Sequence, residues 1–265
     1  MSFAGSFVHL EGSFVPPGPA SFDLPPVFTV GSVGVTKPML LLFLSAIIVF
    51  AFFYAAARQR AMVPGKLQYA GEQLYSSVRN SLGRDLIGQK DFMPFVPYLV
   101  TLFFFILVAN WLGSVPFIQF PAFSRVSMAY ALAGLSWVIY NAVGVRRHGF
   151  VGYMKRQCVP SGVKGPILAL LIPLEFMSNL LIRPVTLSLR LFANMFAGHI
   201  LLILFATGGE YLLLETSAAL APVGIVAWVL AIAVAFLELL IQFLQAYVFV
   251  LLNAMYIQGA LADEH

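Results

Sequence analysis

Five stretches of the chain are apolar enough to lie in lipid. Three of them have ordinary lengths and cover residues 38–57, 92–113 and 126–145. Each is close to the ~20 residues that a helix needs to cross ~30 Å of hydrocarbon. Pro94 and Pro97 stand near the start of the second stretch, where a helix tolerates proline best. We therefore predict one ordinary membrane span for each of the three.

The other two apolar stretches, residues 166–207 and 216–259, are much longer. As helices they would each measure about 60 Å, roughly twice the hydrocarbon thickness. Each stretch is either a hairpin of two short spans or one long helix inclined well beyond the usual ~20°. The Gly208 and Gly209 pair is a turn signal between them, and none lies between Ile225 and Gln258. We expect two long, steeply tilted helices that form a hairpin with its turn at the glycine pair.

Residues 66–90 are too polar to span a membrane but have helical periodicity. Apolar side chains recur at three- and four-residue steps, with charged residues between them: Leu67, Ala70, Leu74, Val78, Leu82 and Leu86. This pattern predicts an amphipathic helix that lies along the inner membrane surface.

The positions of the basic residues predict the orientation. Arg58, Arg60 and Lys66 follow the first span, whereas Lys37 is the one basic residue, histidines aside, in the segment 1–37. Residues 146–165 contain five basic side chains and no acidic one. Because Lys and Arg collect on the cytoplasmic side of membranes, we expect an extracytoplasmic segment 1–37 and a cytoplasmic basic loop 146–165. Residues 38–265 then form a single membrane domain.

Composition supports this fold class. The chain is 60% hydrophobic and 10% charged, which excludes an ordinary soluble globule, a disordered chain and a coiled coil. Cys158 is the single cysteine, and no run of Cys and His has metal-ligand spacing, so we expect no internal disulfide, metal or cofactor. Nothing in the sequence supports nucleic-acid binding. The prediction is an all-α membrane protein.

Several ionisable side chains lie inside or at the end of the long apolar stretches: Glu175, Arg183, Arg190, His199 and Glu238. An ionised group at mid-bilayer costs roughly 2.5 kcal/mol or more, so such residues mark functional sites. Helical geometry places Asn194 about 40° from Arg190, and His199 about 180° away and ~13 Å further out.

Polar residues of the last long helix form one stripe: Glu238, Gln242, Gln245 and Tyr256, with Asn253 beside it. If the hairpin packs this stripe against His199, the two form a titratable path from the outside that stops short of Arg190. A second path from the inside has its own candidate residues: Glu175, Ser178, Thr186 and Ser188. Two half paths separated by a fixed charge indicate ion transport.

Two other functions fit the sequence less well. An intramembrane hydrolase needs a nucleophile beside its base, but Ser188 and His199 would be about 16 Å apart on one helix. A stand-alone secondary transporter usually has two related halves, and the sequence shows no internal repeat.

Three motifs carry a family resemblance. LSLRLFANMFAGHILLILF (187–205) and FLQAYVFVLLNAMY (243–256) resemble subunit a of F-type ATP synthases. NWLGSVPF (110–117) resembles the segment that closes an earlier helix of that family. The resemblance covers residues 38–259, and the stretches KPMLLLFL, VPGKLQYA and CVPSGVKGPIL resemble its actinobacterial form.

The resemblance implies a proton-translocating stator subunit that is not catalytic alone. Arg190 would be the family's essential arginine, which faces the carboxylates of a rotating ring of c subunits and blocks leakage. The outer half channel would use Asn194, His199, Glu238 and Gln245, and the inner one Glu175 with neighbouring hydroxyls. Tilted helices would follow the curved ring. The implied partners also include a peripheral-stalk b subunit, the rest of the complex and lipid. The implied location is the bacterial cell membrane or, alternatively, an organelle inner membrane. A sodium-translocating version stays open.

Overall fold

The computed structural model describes residues 16, 18, 28–30, 33–58, 64–115, 120–158, 167–214 and 218–262. Nine α-helices occur in this part of the chain: α1 (Lys37–Arg58), α2 (Lys66–Val78), α3 (Asp85–Ile87), α4 (Val96–Ser114), α5 (Val126–His148), α6 (Phe150–Cys158), α7 (Ile167–Phe176), α8 (Arg183–Leu214) and α9 (Ala221–Leu261). A short antiparallel hairpin, β1 (Phe28–Val30) and β2 (Val33–Val35), precedes them. Most of the predicted segment 1–37 lies outside the described residues.

Five helices in the described part are long and apolar enough to cross a membrane: Lys37–Arg58, Met93–Ser114, Val126–His148, Leu170–Leu214 and Ala221–Leu261. The first three coincide with the predicted ordinary spans. A 3₁₀ turn, Met93–Phe95, contains Pro94 and leads into α4, whose first turn contains Pro97. The structure is therefore that of an all-α membrane protein.

The first long apolar stretch is one continuous helix. A π-helical segment, Met177–Ile182, joins α7 to α8. Pro184 has no backbone N–H, so the carbonyl of Leu180 loses its usual α-helical donor. Trp137 of α5 replaces that donor, because its indole Nε1 donates to the Leu180 carbonyl at 2.9 Å. The side chain of a neighbouring helix thus supplies what the proline removes.

The turn predicted at Gly208 and Gly209 is wrong, because both residues lie inside α8. Helix α8 ends at Leu214, and a 3₁₀ turn, Ala218–Leu220, leads into α9; residues 215–217 lie outside the described part. Gly209 instead lies where α8 meets α9: a Cβ there would be 2.6 Å from Cδ1 of Trp228 and 3.2 Å from the Gly224 carbonyl oxygen. Small residues let two membrane helices approach closely. The glycine serves helix packing and not a turn.

The two long helices, α8 and α9, form an antiparallel hairpin. Gly209 meets Gly224 near one end, and the Arg183 guanidinium lies 5.0 Å from the centre of the Tyr256 ring near the other. The 41 residues of α9 extend for about 60 Å at 1.5 Å per residue. Each long stretch is thus a single helix and not two short spans. The steep inclination of these helices to the membrane remains a prediction.

The core lies around α4, which packs between α1 and α9. Val96, Leu99 and Ile106 of α4 are fully buried. From the long hairpin, Leu191 of α8 and Phe249 of α9 join the same cluster. The hairpin therefore rests with one side on the core and leaves the other side exposed.

The predicted helix 66–90 runs continuously from Lys66 but ends early, at Ile87. A π-helical segment, Arg79–Arg84, joins α2 to α3. On α2 the buried positions include Gln68 and Gly71, whereas the predicted apolar positions Leu67 and Leu74 are exposed. A Cβ at Gly71 would be 2.6 Å from the Ala56 Cβ, so close packing against α1 selects the buried face.

The segment 146–165 is predicted as a loop, but part of it is helical. Helix α5 continues to His148, and Gly149, with φ of 72°, makes the turn into α6. Residues 159–166 lie outside the described part.

Candidate functional site

A buried pair of titratable side chains joins α8 to α9. His199 Nδ1 lies 3.5 Å from Glu238 Oε1, and each side chain is 4% exposed. Gly198 lies beside the pair: a Cβ there would be in ordinary van der Waals contact with Glu238 Cγ, at 3.4 Å. At 3.5 Å the two groups are in ion-pair contact, which is longer than an ordinary hydrogen bond. A proton can therefore be shared or exchanged here between an imidazole and a carboxyl group.

Helix α4 contributes polar groups to the same place. Gln242 Nε2 donates to Glu238 Oε1 at 3.2 Å and to Ser114 Oγ at 2.6 Å. Asn110 Nδ2 donates to the Gln242 backbone carbonyl at 3.4 Å. The result is a line of polar side chains through three helices, from Ser114 to His199.

A second polar contact lies further along the hairpin. Asn194 Nδ2 donates to Gln245 Oε1 at 2.7 Å. Gln245 Nε2 and Gln242 Oε1 are buried and have no hydrogen-bond partner among the residues that the structure describes. Since an unpaired buried polar atom is costly, water molecules are their natural partners in the protein. The stripe from Glu238 to Gln245 is suited to holding a hydrated path.

Arg190 lies on the exposed surface of α8, one helical turn before Asn194. Leu187 and Leu191, about 60° and 100° away from it around the helix, are buried. Around it the hairpin exposes large apolar side chains, among them Val185, Leu189, Leu240 and Leu244. Arg190 makes no hydrogen bond or ion pair with any residue in the described part of the chain. Within a membrane, an unpaired charge on an otherwise apolar exposed surface is costly, which marks Arg190 as a candidate functional residue.

The polar residues near the C-terminal end of α9 have separate partners. Tyr256 packs against the Arg183 guanidinium and lies 5.3 Å, ring centre to ring centre, from Tyr140. Asn253 Oδ1 accepts from Tyr98 Oη at 3.4 Å, and its Nδ2 donates to its own helix at the Phe249 carbonyl. These two predicted channel residues thus connect α9 with α8, α5 and α4.

The predicted inner residues do not form one cluster. Glu175 Oε2 accepts from Asn179 Nδ2 at 3.0 Å, and Asn179 Nδ2 also donates to the Gln157 carbonyl on α6. Ser178 is half-buried on the π-helical segment. Thr186 and Ser188 both donate to carbonyls of their own helix, and Thr186 is exposed whereas Ser188 is buried. Glu175 and Asn179 are the inner polar pair that the structure brings together.

No group of three His, Cys, Asp or Glu side chains in the described part of the chain is arranged to hold a metal ion.

Comparison with known proteins identifies the family. The family model for the ATP synthase A chain matches residues 39–258, nearly the whole chain. The chain belongs to this family. "ATP synthase subunit a" of a Nocardioides species is 68% identical over all of both chains. The protein of the same name from Pseudarthrobacter chlorophenolicus is 48% identical over 96% of each chain, and that of Streptomyces lividans 43% identical over 86% of this chain and 80% of its own.

Membership of the subunit a family, together with five membrane-capable helices, makes this chain a membrane protein of the F-type ATP synthase membrane sector. The resemblance to the actinobacterial form is confirmed, since the three relatives above come from actinobacteria.

Sequence reasoning missed two members of the site on α4. Asn110 and Ser114 are four residues apart and so lie on one face of that helix. Two polar residues at this spacing, at the outer end of an apolar span, were a signal that could have indicated them. Asn179 was also missed, although it stands four residues after Glu175 on one helix face.

Proposed function

We propose that this chain is the proton-translocating stator subunit of the ATP synthase membrane sector. It offers two offset half channels to a ring of c subunits, and Arg190 keeps the two channels apart. The observation that supports this most is the arrangement of α8: Arg190 lies on its exposed face and His199 on its buried face.

The outer half channel runs along the buried seam between α8 and α9. Protons enter at His199 and Glu238, whose contact at 3.5 Å joins the two helices. They continue past Gln242 and Gln245, whose unpaired amide atoms can hold water, to Asn194. Asn194 is half-buried and lies one helical turn from Arg190. The path therefore reaches the exposed face beside the arginine.

Arg190 acts on the ring. A guanidinium stays protonated under all physiological conditions, so it presents a permanent positive charge to each arriving carboxylate. In an apolar surrounding this charge favours the ionised carboxylate, and the proton leaves for the inner half channel. The same charge repels a proton that would otherwise pass directly between the two half channels.

The inner half channel involves Glu175 with Asn179. Glu175 lies in the last turn of α7, and Asn179 lies in the π-helical segment that follows. Such π-helical turns are frequent at functional sites. Ser178 is on the same segment. Thr186 and Ser188 contribute less, because their hydroxyl groups bond to their own helix.

We infer protons as the transported ion because the outer seam contains an imidazole, a group that gains and loses protons near neutral pH. The chain has no catalytic role alone and works with the c ring, a peripheral-stalk b subunit and the rest of the complex. Its place is the bacterial plasma membrane, with the basic segment around α6 on the cytoplasmic side.

Ion specificity tests this function. In inverted membrane vesicles that contain the whole complex, ATP hydrolysis should acidify the lumen without sodium, and a protonophore should abolish the acidification. Glu238→Gln should strongly reduce it at unchanged amounts of complex. A requirement for sodium, or normal acidification by Glu238→Gln, would contradict the proposed proton path.

A further inference from the structure

Gln242 connects Glu238 to Ser114, which lies in the motif NWLGSVPF but has no role in the proposed half channels. Its Nε2 donates both to Glu238 Oε1, at 3.2 Å, and to Ser114 Oγ, at 2.6 Å. Gln242 is 1% exposed. Asn110, one turn before Ser114 on α4, donates to the Gln242 carbonyl. Two residues of α4 thus fix both the backbone and the side chain of this glutamine.

The orientation of the Gln242 amide decides what Glu238 meets. One end of an amide donates hydrogen bonds and the other accepts them. With Nε2 towards Glu238, the amide offers a donor to a carboxylate. Rotated by half a turn, it offers its oxygen, which suits only a protonated carboxyl group that itself donates. The same end of the Gln242 amide contacts both Glu238 and Ser114. The rotation therefore also changes the Ser114 hydroxyl from a hydrogen-bond acceptor to a donor.

A hydroxyl group can serve both orientations. Ser114 Oγ accepts from Nε2 as observed, and it can donate to the amide oxygen after rotation. Among the described residues Ser114 has no other side-chain hydrogen bond, whereas Ser45, Ser124 and Ser188 all donate to carbonyls of their own segments. The hydroxyl of Ser114 is therefore available to follow the amide.

We propose that Ser114 is a positioning residue of the outer half channel. Through Gln242 it stabilises a donor facing Glu238 when the carboxyl group is ionised and an acceptor when it is protonated. Glu238 can then alternate between the two forms while buried, which proton transfer requires. No proton passes through Ser114 or Gln242: the proton that arrives at Glu238 is the proton that leaves it. This inference rests on the proposed function.

The test uses the near-isosteric pair Ser114→Thr and Ser114→Val in the whole complex. The two side chains have the same shape and differ in the hydroxyl group, so steric effects of the larger side chain are common to both. We expect Ser114→Val to slow ATP-driven proton pumping into inverted vesicles by about tenfold, the upper end of what the loss of one hydrogen bond between neutral groups produces. Ser114→Thr should stay within about twofold of the unchanged protein. Equal rates for Thr and Val would overturn the proposal.

Two controls make the result decisive. Rates are divided by the amount of assembled complex, and Ser114→Ala replaces Val if the larger side chain prevents assembly. Ser45→Ala removes another buried serine hydroxyl, one that donates to the Leu42 carbonyl of its own helix α1, and should pump normally. A loss in Ser45→Ala as large as in Ser114→Val would show a general packing defect and overturn the specific role.

A double variant tests whether Ser114 acts through Gln242. In a Gln242→Leu background, Ser114→Val should have no further effect, because the amide that it orients is gone. Independent, multiplying losses would contradict the proposal. Glu238→Gln in the same assay distinguishes a failure of the proposed function from a failure of the role of Ser114. Normal pumping by Glu238→Gln contradicts the proposed function itself. Lost pumping in Glu238→Gln, together with equal Thr and Val rates, contradicts only the role of Ser114.

Discussion

His199 and Glu238 are in contact across the α8–α9 hairpin, with 3.5 Å between Nδ1 and Oε1 and only 4% of each side chain exposed. At this distance a proton can pass directly between the imidazole and the carboxyl group. Whichever group holds the proton determines whether its neighbour is a suitable partner. We therefore treat the pair as one proton-binding unit.

Exchanging the two groups tests this unit. His199→Ala and Glu238→Ala should each slow proton pumping strongly, because each leaves the other group buried without its partner. The exchange of His199→Glu with Glu238→His should recover part of the rate, since the same two groups return to the same space. The measurement is ATP-driven acidification by all three variants at equal amounts of complex.

The alternative is that His199 only packs between the helices. In that case His199→Ala would pump normally and the exchange would be no better than the worse single variant. That pair of outcomes would exclude a shared proton-binding unit.

The contact between Trp137 and Leu180 should be structural. Trp137→Phe keeps an aromatic ring but removes the Nε1 donor, so the Leu180 carbonyl beside Pro184 loses its partner. Leaving a buried acceptor unsatisfied costs about 1–3 kcal/mol. We expect a lower melting temperature of the purified complex. An additional Pro184→Ala change should restore part of it by returning the helical donor; no recovery would contradict this explanation.

Gly209 should be required for the close approach of α8 and α9. Gly209→Ala places a methyl group 2.6 Å from Trp228 Cδ1, and such overpacking costs about 1–3 kcal/mol. Gly259→Ala is the matched control, because nothing lies within 4 Å of its new Cβ. We expect less assembled complex for Gly209→Ala and no loss for Gly259→Ala. Equal amounts for both would contradict the packing role.

Cys158 reports both orientation and local charge. Burial, and to a smaller extent the Glu175 carboxylate, raise the pKa of its thiol. The thiolate is the reactive form, so labelling by a maleimide should be slow at neutral pH and increase about tenfold per pH unit below that pKa. Glu175→Gln should accelerate it. A membrane-impermeant maleimide should label inverted vesicles and not right-side-out ones; the opposite result would reverse the predicted orientation.

The broad architecture follows from hydrophobic pattern and length, because spans of about 20 apolar residues are dictated by bilayer thickness. The candidate site residues of α8 and α9 can also be predicted from the sequence, since His199, Arg190 and Glu238 are ionisable residues within long apolar stretches. Helical geometry places His199 and Arg190 on opposite faces of α8, and the structure has one buried and the other exposed.

What the sequence could not reveal depends on contacts between distant segments. In the sequence the Gly208–Gly209 pair indicates a turn, and only the structure reveals that Gly209 packs against Gly224 and Trp228. Nothing local indicates that Pro184 is accommodated by Trp137. Likewise, the sequence does not indicate a role for Ser114, which follows from the 2.6 Å hydrogen bond between Gln242 Nε2 and Ser114 Oγ.

The central claim is that the charge of Arg190 couples proton flow to ATP synthesis. The most direct measurement is ATP synthesis by vesicles that contain Arg190→Ala complexes, driven by an imposed proton gradient. Arg84→Ala, which removes an exposed arginine outside the hairpin, is the matched control. The account predicts that Arg190→Ala assembles fully but that synthesis falls to background, while Arg84→Ala synthesises normally. Synthesis by Arg190→Ala at the rate of the unchanged protein would contradict it.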